Sequence, residues 1–169
     1  SDKFNNVETH SLELDNVFKN FEDTLSDFKN EHGMANSRAR LRMTTLYQVA
    51  AANKGIVVGT GNKVEDFGVG FYTKYGDGGV DISPIADCNK TEIWEIGKEL
   101  NILNEIIDAP PTDGLWDDGR TDEGQLGMSY KDIELAMNDP KSQNREKYEK
   151  IRLLNLHKME PIPICKIPR

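Results

Sequence analysis

A glycine-rich stretch with interspersed charged side chains is the part of this sequence best suited to chemistry. Residues 59–81 read GTGNKVEDFGVGFYTKYGDGGVD and contain seven glycines. Glycines let a phosphate or a ring approach the backbone closely, and Thr60 offers a hydroxyl group. If a helical turn follows Thr60, the Glu65 carboxylate returns toward it as an oxygen ligand for Mg²⁺. The alternative is that Glu65 and Asp66 are solvated loop charges, since such residues mostly stay exposed.

Lys90 is the second candidate, because its position in a predicted helix is unfavourable without a ligand. Asn89 and Glu92 form a capping-box pattern that starts a helix and places Lys90 in its first turn. A positive charge there opposes the helix dipole by about 0.3–1 kcal/mol. Together with the free backbone amides, it would suit a bound phosphate. The alternative is an exposed lysine that extends into water.

Residues 110–127, PPTDGLWDDGRTDEGQLG, form a long segment with turn-forming residues throughout. Loops of this length in compact domains are usually lids or disordered stretches. Leu115 and Trp116 are unfavourable in water, so we predict a mobile lid that docks over a substrate. The alternative is a loop that is merely mobile.

The order of predicted elements indicates an α/β domain with a parallel sheet flanked by helices. The predicted elements are a strand at 9–14, a helix from Asp15 to about Gly33, a helix at 36–53, strands at 56–58 and 80–85, a helix from Asn89, and helices at 130–138 and 143–157. Ligands bind beyond the carboxyl ends of such strands, where the strand at 56–58 delivers Gly59. Two or three strands are fewer than the usual five or six, so we expect a sheet that is incomplete at its N-terminal side.

Length and composition indicate one globular domain and exclude several functions. The chain has 169 residues, with 21 basic and 29 acidic side chains and a net charge of −8, which opposes nucleic-acid binding. No apolar run approaches the roughly 18 residues of a membrane span, and the start SDKFNN lacks a signal-peptide core. We therefore predict no membrane partner and a cytoplasmic location. Cys88 and Cys165 lack companions at metal-binding spacing, which indicates bystander thiols.

Several sequence blocks, in order along most of the chain, resemble the NAD⁺ synthetase family. The blocks are ANSRARLRM at 35–43, GTGNKVE at 59–65, FYTKYGDGGVD at 71–81, IAD and KT within 85–91, PPTDGLW at 110–116, TDE and LG within 121–127, and His157-Lys158. The resemblance implies an adenine-nucleotide alpha-hydrolase-like, Rossmann-like fold and a homodimer. It also implies amidation of deamido-NAD (nicotinic acid adenine dinucleotide) to NAD⁺ with ATP and ammonia. The reaction passes through an acyl-adenylate and releases pyrophosphate and AMP.

The same resemblance implies roles for individual residues. Catalytic roles fall on Lys90 and Asp77, ATP binding on Thr60, Lys90 and Thr112, Mg²⁺ binding on Glu65, and deamido-NAD binding on Arg40, Tyr47, Lys74, Asp81, His157 and Lys158. A carboxylate at Asp77 is chemically sensible, because ammonia is mostly ammonium at neutral pH and must lose a proton before it attacks. Without the resemblance, Arg38, Arg40 and Arg42 would be read as polar-face residues of a helix.

The sequence departs from the family pattern in two places. The segment from Glu65 to Thr73 is one residue longer than is typical, and the Ser-Gly-Gly-x-Asp-Ser phosphate loop is absent from these 169 residues. We therefore expect the C-terminal two-thirds of a synthetase, inactive as residues 1–169 alone. The alternative is a non-catalytic nucleotide-binding or dimerisation module. An ATP pyrophosphatase for another carboxylate is not expected to carry FYTKYGDGGVD. The absence of a glutaminase domain favours ammonia as the nitrogen donor but leaves glutamine open.

Overall fold

A computed structural model describes residues 4–168, in which helices dominate. The α-helices are α1 (Asp15–Thr24), α2 (Glu31–Ala52), α3 (Lys90–Glu99), α4 (Asn104–Ile107), α5 (Asp122–Leu126), α6 (Tyr130–Asn138) and α7 (Arg145–Met159). The helices predicted at 36–53, from Asn89, at 130–138 and at 143–157 are confirmed as α2, α3, α6 and α7. At α3, Asn89 and Glu92 form the predicted reciprocal cap.

The predicted continuation of the first helix to Gly33 is wrong. Helix α1 ends at Thr24, and a 3₁₀ turn at Ser26–Phe28 separates it from α2. The Gly33 backbone N–H donates to Asn30 Oδ1 at 2.7 Å, so Asn30 caps a new helix and Gly33 lies in its first turn. Gly33 resembles a helix end in the sequence, but the Asn30 side chain determines that a helix begins here.

Strand pairing among residues 4–168 is limited to one parallel bridge, between Val58 and Ile82. The Gly59 N–H donates to the Ile82 carbonyl at 2.7 Å, and the Asp81 N–H donates to the Val57 carbonyl at 2.9 Å. The segments predicted as strands at 56–58 and 80–85 therefore do run in parallel, although only at this contact. The strand predicted at 9–14 is not formed, and the wider sheet is not seen in the part of the chain that the structure describes.

A π-helical turn at Lys63–Val69 follows the glycine-rich strand end. Asn62 is buried and begins the turn, because its Oδ1 accepts hydrogen bonds from the Val64 and Glu65 N–H groups at 3.0 and 3.1 Å. In a π-turn each backbone hydrogen bond spans five residues, whereas in an α-helix it spans four, and π-turns are often found at functional sites. The turn at Lys63–Val69 overlaps the segment from Glu65 to Thr73, which is expected to be one residue longer than is typical of the family.

The main core fixes this π-turn against the last helices. It consists of Val64, Val69, Leu126, Met128, Tyr130, Ile133, Ala136 and Tyr148. The Trp94 ring of α3 packs edge-on against Tyr130, with ring centroids 6.0 Å apart. The core therefore joins the π-turn to α5, α6 and α7 and brings α3 alongside. Among the described residues, no helix is long and apolar enough to cross a membrane.

Candidate active site

The π-turn and α3 bring Glu65 and Lys90 together. Lys90 Nζ donates to Glu65 Oε1 at 3.0 Å, and the Lys90 and Glu65 side chains are only 18% and 15% exposed, respectively. Lys90 Nζ also lies 5.0 Å from the Tyr130 ring centroid. Glu65 is therefore not a solvated loop charge, and Lys90 does not extend into water. The unfavourable position of Lys90 at the start of α3 is offset by a carboxylate from another element.

The Tyr130 hydroxyl extends this pair into a buried polar network that the sequence did not reveal. It lies 2.5 Å from Glu65 Oε1 and 3.1 Å from Asp122 Oδ2. Burial raises the pKa of Tyr130 and of Asp122, and the nearby Glu65 charge acts in the same direction on both. Tyr130 is 65 residues from Glu65 in sequence, so no local spacing points to this contact. A signal was present only in the TDE block, which contains Asp122.

A cavity of about 440 Å³ gathers most of the residues predicted to bind deamido-NAD. Its lining includes the predicted residues Arg40, Lys74, Asp77, His157 and Lys158, together with Asn36, Tyr72, Asp113 and Trp116. These residues come from α2, the segment after the π-turn, the 110–127 segment and the end of α7. The volume lies within the range of about 300–1,000 Å³ that is usual for ligand pockets.

Hydrogen bonds to backbone carbonyls hold the cationic side chains of this cavity in place. Lys158 Nζ donates to the Gly70 and Tyr72 carbonyls at 2.9 and 2.8 Å. Lys74 Nζ donates to the His157 carbonyl at 2.5 Å, and Arg40 Nε donates to the Lys74 carbonyl at 3.3 Å. Burial lowers the pKa of Lys158, and the nearby Asp77 carboxylate opposes that shift. The end of α7 is thus fixed to the segment that follows the π-turn.

Asp77 lies between this cavity and a smaller one. Its Oδ1 accepts a hydrogen bond from the Thr73 N–H at 2.9 Å. The Asp77 side chain is exposed, but surrounding protein atoms displace part of its water and thereby raise its pKa. The hydrogen bond from Thr73 and the charge of Lys158 act in the opposite direction and lower the pKa, but their effect is smaller. The second cavity, of about 180 Å³, is lined by Gly59, Gly61, Asp66, Phe67, Tyr72, Asp77, Gly78, Val80, Ser83, Lys158 and Met159.

Asp66 faces the smaller cavity and touches the glycine-rich strand end. A Cβ atom placed on Gly61 would lie 2.1 Å from Asp66 Oδ2, so any larger residue at this position would force the carboxylate to move. Burial, followed by the charges of Glu65 and Asp77, raises the pKa of Asp66 to about 6. The glycine-rich sequence therefore accommodates a carboxylate at this position as well as a close approach to the backbone.

Two arginines of α2 hold the 110–127 segment against the main cavity. Arg38 Nη1 donates to the Leu115 carbonyl at 3.0 Å, and Arg42 Nη2 donates to the Gly114 carbonyl at 2.9 Å. The Trp116 indole N–H donates to Asp113 Oδ2 at 3.2 Å. Arg38 and Arg42 are therefore more than polar-face residues, since they contact the segment predicted to be a lid.

Six predicted site residues do not line either cavity: the Glu65–Lys90 pair described above, and Thr60, Thr112, Tyr47 and Asp81. Tyr47 OH donates to Asp81 Oδ1 at 3.2 Å, and Asp81 Oδ2 accepts from the Val57 N–H at 2.7 Å. These two side chains thus join α2 to the parallel strand pair. Thr60 and Thr112 are exposed and lie outside both linings. Their roles in binding remain predictions.

Glu65 is the described residue whose carboxylate is best placed to contact a bound Mg²⁺. Residues 4–168 contain no group of three or more His, Cys, Asp or Glu side chains able to hold a metal ion. Within that range, Glu65 Oε1 accepts both hydrogen bonds, and Oε2 has no hydrogen-bond partner. Mg²⁺ is commonly bound through one or two carboxylates, water and substrate phosphates. The Glu65 carboxylate fits that type of site.

Comparison with known proteins places the chain in a family. Residues 3–166 match the family model described as NAD synthase, and the chain belongs to this family. It is 37% identical to the NH₃-dependent NAD⁺ synthetase of Mesoplasma florum over 156 residues, which cover 90% of this chain and 62% of the relative. It is 34% identical to the enzyme of that name from Syntrophomonas wolfei, over 99% of this chain and 69% of the relative. Against two further relatives of that name the matched region is 41% and 48% of their length.

Two solved structures share the fold. An NMN synthetase from Francisella tularensis superposes with a TM-score of 0.88 at 30% identity, covering 96% of this chain and 68% of that one. An NH₃-dependent NAD synthetase from Campylobacter jejuni superposes with a TM-score of 0.68 at 25% identity, covering 92% and 64%. The chain thus spans about two-thirds of these structures. Both are members of synthetase families, which agrees with the Rossmann-like class predicted from the sequence.

Proposed function

We propose that the protein amidates deamido-NAD to NAD⁺ with ATP and ammonia and releases AMP and pyrophosphate. The observation that supports this most directly is the cavity of about 440 Å³ that gathers five residues expected to handle the nicotinate substrate. The half-buried Glu65–Lys90 pair, which is expected to handle ATP, belongs to the π-turn and α3, and both of these elements pack on the main core. Curated relatives named NH₃-dependent NAD⁺ synthetase point to the same reaction.

In this proposal, the Glu65–Lys90 pair is exchanged when nucleotide binds. Lys90 would leave Glu65 Oε1 and contact a phosphate of ATP, and the Glu65 carboxylate would hold a Mg²⁺ ion. The metal ion, when bound, neutralises phosphate charge that builds up as pyrophosphate leaves. The pairing keeps both charges satisfied without ligand, since an unpaired charge at about 15–18% exposure would be unfavourable. Thr60 and Thr112, both exposed, remain free to contact ATP.

The nicotinate carboxylate attacks the α-phosphate of ATP from the larger cavity. Arg40, Lys74 and Lys158 outnumber the two carboxylates of that lining, Asp77 and Asp113, and their positive charge suits a carboxylate and the phosphates of a nucleotide. Their hydrogen bonds to backbone carbonyls restrict their motion before the substrate arrives. Holding the two reactants in line accounts for much of the rate in this type of reaction.

Ammonia then displaces AMP from the acyl-adenylate, and Asp77 is placed to assist. Its carboxylate borders both cavities, so an ammonium ion in the smaller cavity would meet it beside the bound adenylate. The pKa of Asp77 is raised by partial loss of water, which makes the carboxylate a better proton acceptor than an ordinary aspartate. Asp77 takes one proton from ammonium, and the resulting ammonia attacks the carbonyl carbon.

A second candidate substrate is nicotinic acid mononucleotide, with NMN as the product. Two observations favour it: the superposition on the Francisella NMN synthetase has the higher TM-score, 0.88 against 0.68, and Tyr47 and Asp81 lie outside the cavity lining. Both substrates present the same nicotinate carboxylate, so the chemistry at Lys90 and Asp77 is unchanged. They differ only in the AMP half of the dinucleotide.

The test uses protein expressed from its complete coding sequence. It is incubated with ATP, Mg²⁺ and ammonium and with either deamido-NAD or nicotinic acid mononucleotide, and AMP and the amide product are quantified. The proposal expects one AMP per NAD⁺ and a higher kcat/KM for deamido-NAD. A higher value for the mononucleotide would select the second candidate. Absence of AMP with both substrates would contradict catalysis and support the non-catalytic module. Mg²⁺ dependence, a homodimer and a cytoplasmic location remain predictions.

A further inference from the structure

Tyr130 occupies an unusual position between two carboxylates. Its side chain is fully buried, yet its hydroxyl contacts Glu65 from the π-turn at 2.5 Å and Asp122 from α5 at 3.1 Å. A phenol carries one hydrogen and therefore donates one full hydrogen bond at a time. The shorter contact identifies Glu65 as the acceptor of that hydrogen. The contact to Asp122 then requires a hydrogen from the Asp122 side.

Asp122 has the surroundings of a neutral carboxylic acid. It is 6% exposed, and its Oδ1 has no hydrogen-bond partner among residues 4–168. The groups that face it are Tyr130, the carboxylates of Glu65 and Asp113, and the ammonium of Lys90. An ionised Asp122 would be a buried anion beside two others, which is costly. A protonated Asp122 instead donates from Oδ2 to the Tyr130 oxygen, and burial raises its pKa in the required direction.

We propose that Tyr130 is a positioning residue for Glu65, and that a protonated Asp122 orients the Tyr130 hydroxyl. The inference rests on the proposed function, in which Glu65 binds Mg²⁺ with ATP. The hydrogen bond from Tyr130 fixes Glu65 Oε1, and Oε2, which has no hydrogen-bond partner among residues 4–168, would be available to the metal ion. Because Asp122 begins α5 inside the 110–127 segment, the arrangement also couples that segment to the metal-binding carboxylate.

The effect of removing this hydrogen bond is large enough to measure. Loss of a partner that orients a metal ligand typically weakens metal binding about 10- to 100-fold. Tyr130→Phe removes only the hydroxyl and retains the ring that packs edge-on against Trp94 at 6.0 Å. Tyr148→Phe is the matched control, since Tyr148 lies in the same core and its hydroxyl makes no hydrogen bond within residues 4–168.

Metal binding is measured directly, without turnover. Protein expressed from its complete coding sequence is titrated with Mn²⁺ by electron paramagnetic resonance in the presence of a non-hydrolysable ATP analogue. We expect Tyr130→Phe to bind Mn²⁺ about 10- to 100-fold more weakly than wild type, and Tyr148→Phe to match wild type. If Tyr130→Phe binds Mn²⁺ as tightly as Tyr148→Phe and wild type, the inference is wrong, but the proposed role of Glu65 still stands. No Mn²⁺ binding by the wild type would overturn the proposed role of Glu65 and the inference with it.

A second variant tests the hydrogen on Asp122 and does not depend on Tyr130→Phe folding well. Asp122→Asn presents an amide N–H where the acid presented its O–H, so Mn²⁺ affinity should stay at the wild-type value. The infrared difference spectrum between wild type and this variant at neutral pH should show the carbonyl band of a protonated carboxylic acid. Absence of that band, or Mn²⁺ binding as weak as in Tyr130→Phe, would overturn the proposed state of Asp122.

Discussion

Replacing Lys90 with alanine should separate its structural role from its proposed catalytic role. In the free protein, the change leaves Glu65 with one hydrogen bond and no neutralising charge in a site where its side chain is 15% exposed. Removing one partner of a fully buried ion pair costs about 3–5 kcal/mol, and the remaining exposure reduces this to about 2 kcal/mol. For a protein of this size, that corresponds to a decrease in Tm of roughly 4–8 °C.

The effect of Lys90→Ala on turnover should exceed its effect on stability. Losing one preorganised charge that stabilises the transition state lowers kcat about 10²- to 10³-fold. Lys63→Ala is the matched control, because Lys63 pairs with Asp87 at 3.1 Å but the side chains are 43% and 99% exposed. An exposed pair contributes about 0.2–1 kcal/mol, so this variant should retain both Tm and kcat.

The assay compares Tm by differential scanning fluorimetry with single-turnover AMP formation. In Lys90→Ala, Mg²⁺ without nucleotide should raise Tm more than in wild type, because the metal no longer competes with the Lys90 ammonium for Glu65. A lower Tm together with wild-type kcat would refute the catalytic role. An unchanged Tm would refute the reasoning about the ion pair.

Three further predictions follow from the glycine-rich turn and the 110–127 segment. Gly61→Ala should displace the Asp66 carboxylate, which the new Cβ would approach to 2.1 Å, and should lower kcat/KM. Gly97→Ala is the control and should leave kcat/KM unchanged, because its Cβ would meet atoms no closer than 3.6 Å. Equal kcat/KM values in the two variants would contradict the packing argument. Folding raises the pKa of Asp66 from 3.8 to about 6, so the folded state holds the proton more tightly and stability falls as pH rises through this range. The free energy of unfolding of Asp66→Asn should therefore exceed that of wild type by about 1 kcal/mol at pH 7 in metal-free buffer, after discounting for partial exposure. If this difference in stability does not grow between pH 4 and 7, the prediction is wrong. Tryptic cleavage after the exposed Arg120 should slow when ATP and deamido-NAD are both present, and equal cleavage with and without them would rule out a lid.

Local signals in the sequence were enough to predict much of the fold. The capping pattern at Asn89 and Glu92 defined the start of α3, and the short apolar run at 56–58 lies in the parallel strand contact. Both signals act within a few residues, where backbone geometry and side-chain capping determine the structure. The prediction that the first helix extends to Gly33 was wrong because of another local signal: the Asn30 side chain caps α2 and determines where that helix begins.

The chemistry of the site depended on contacts that local patterns do not encode. The sequence marked Glu65 and Lys90 separately, but the pairing between them follows from how the π-turn packs against α3. The sequence predicts Tyr130 only as part of a helix. Its hydroxyl contacts Glu65 and Asp122, which precede it by 65 and 8 residues, so no local pattern points to these contacts. The sequence allowed a helical turn after Thr60, but only the structure shows that this turn is π-helical.

The central claim is that this protein activates a nicotinate carboxylate with ATP and then amidates it. The most direct test is positional isotope transfer, in which deamido-NAD labelled with ¹⁸O in its carboxylate is incubated with ATP, Mg²⁺ and ammonium and the protein expressed from its complete coding sequence. The account predicts that one ¹⁸O atom appears in the phosphate of AMP for each NAD⁺ formed, because the carboxylate oxygen attacks the α-phosphate. Formation of NAD⁺ with unlabelled AMP, or no NAD⁺ at all, would contradict it.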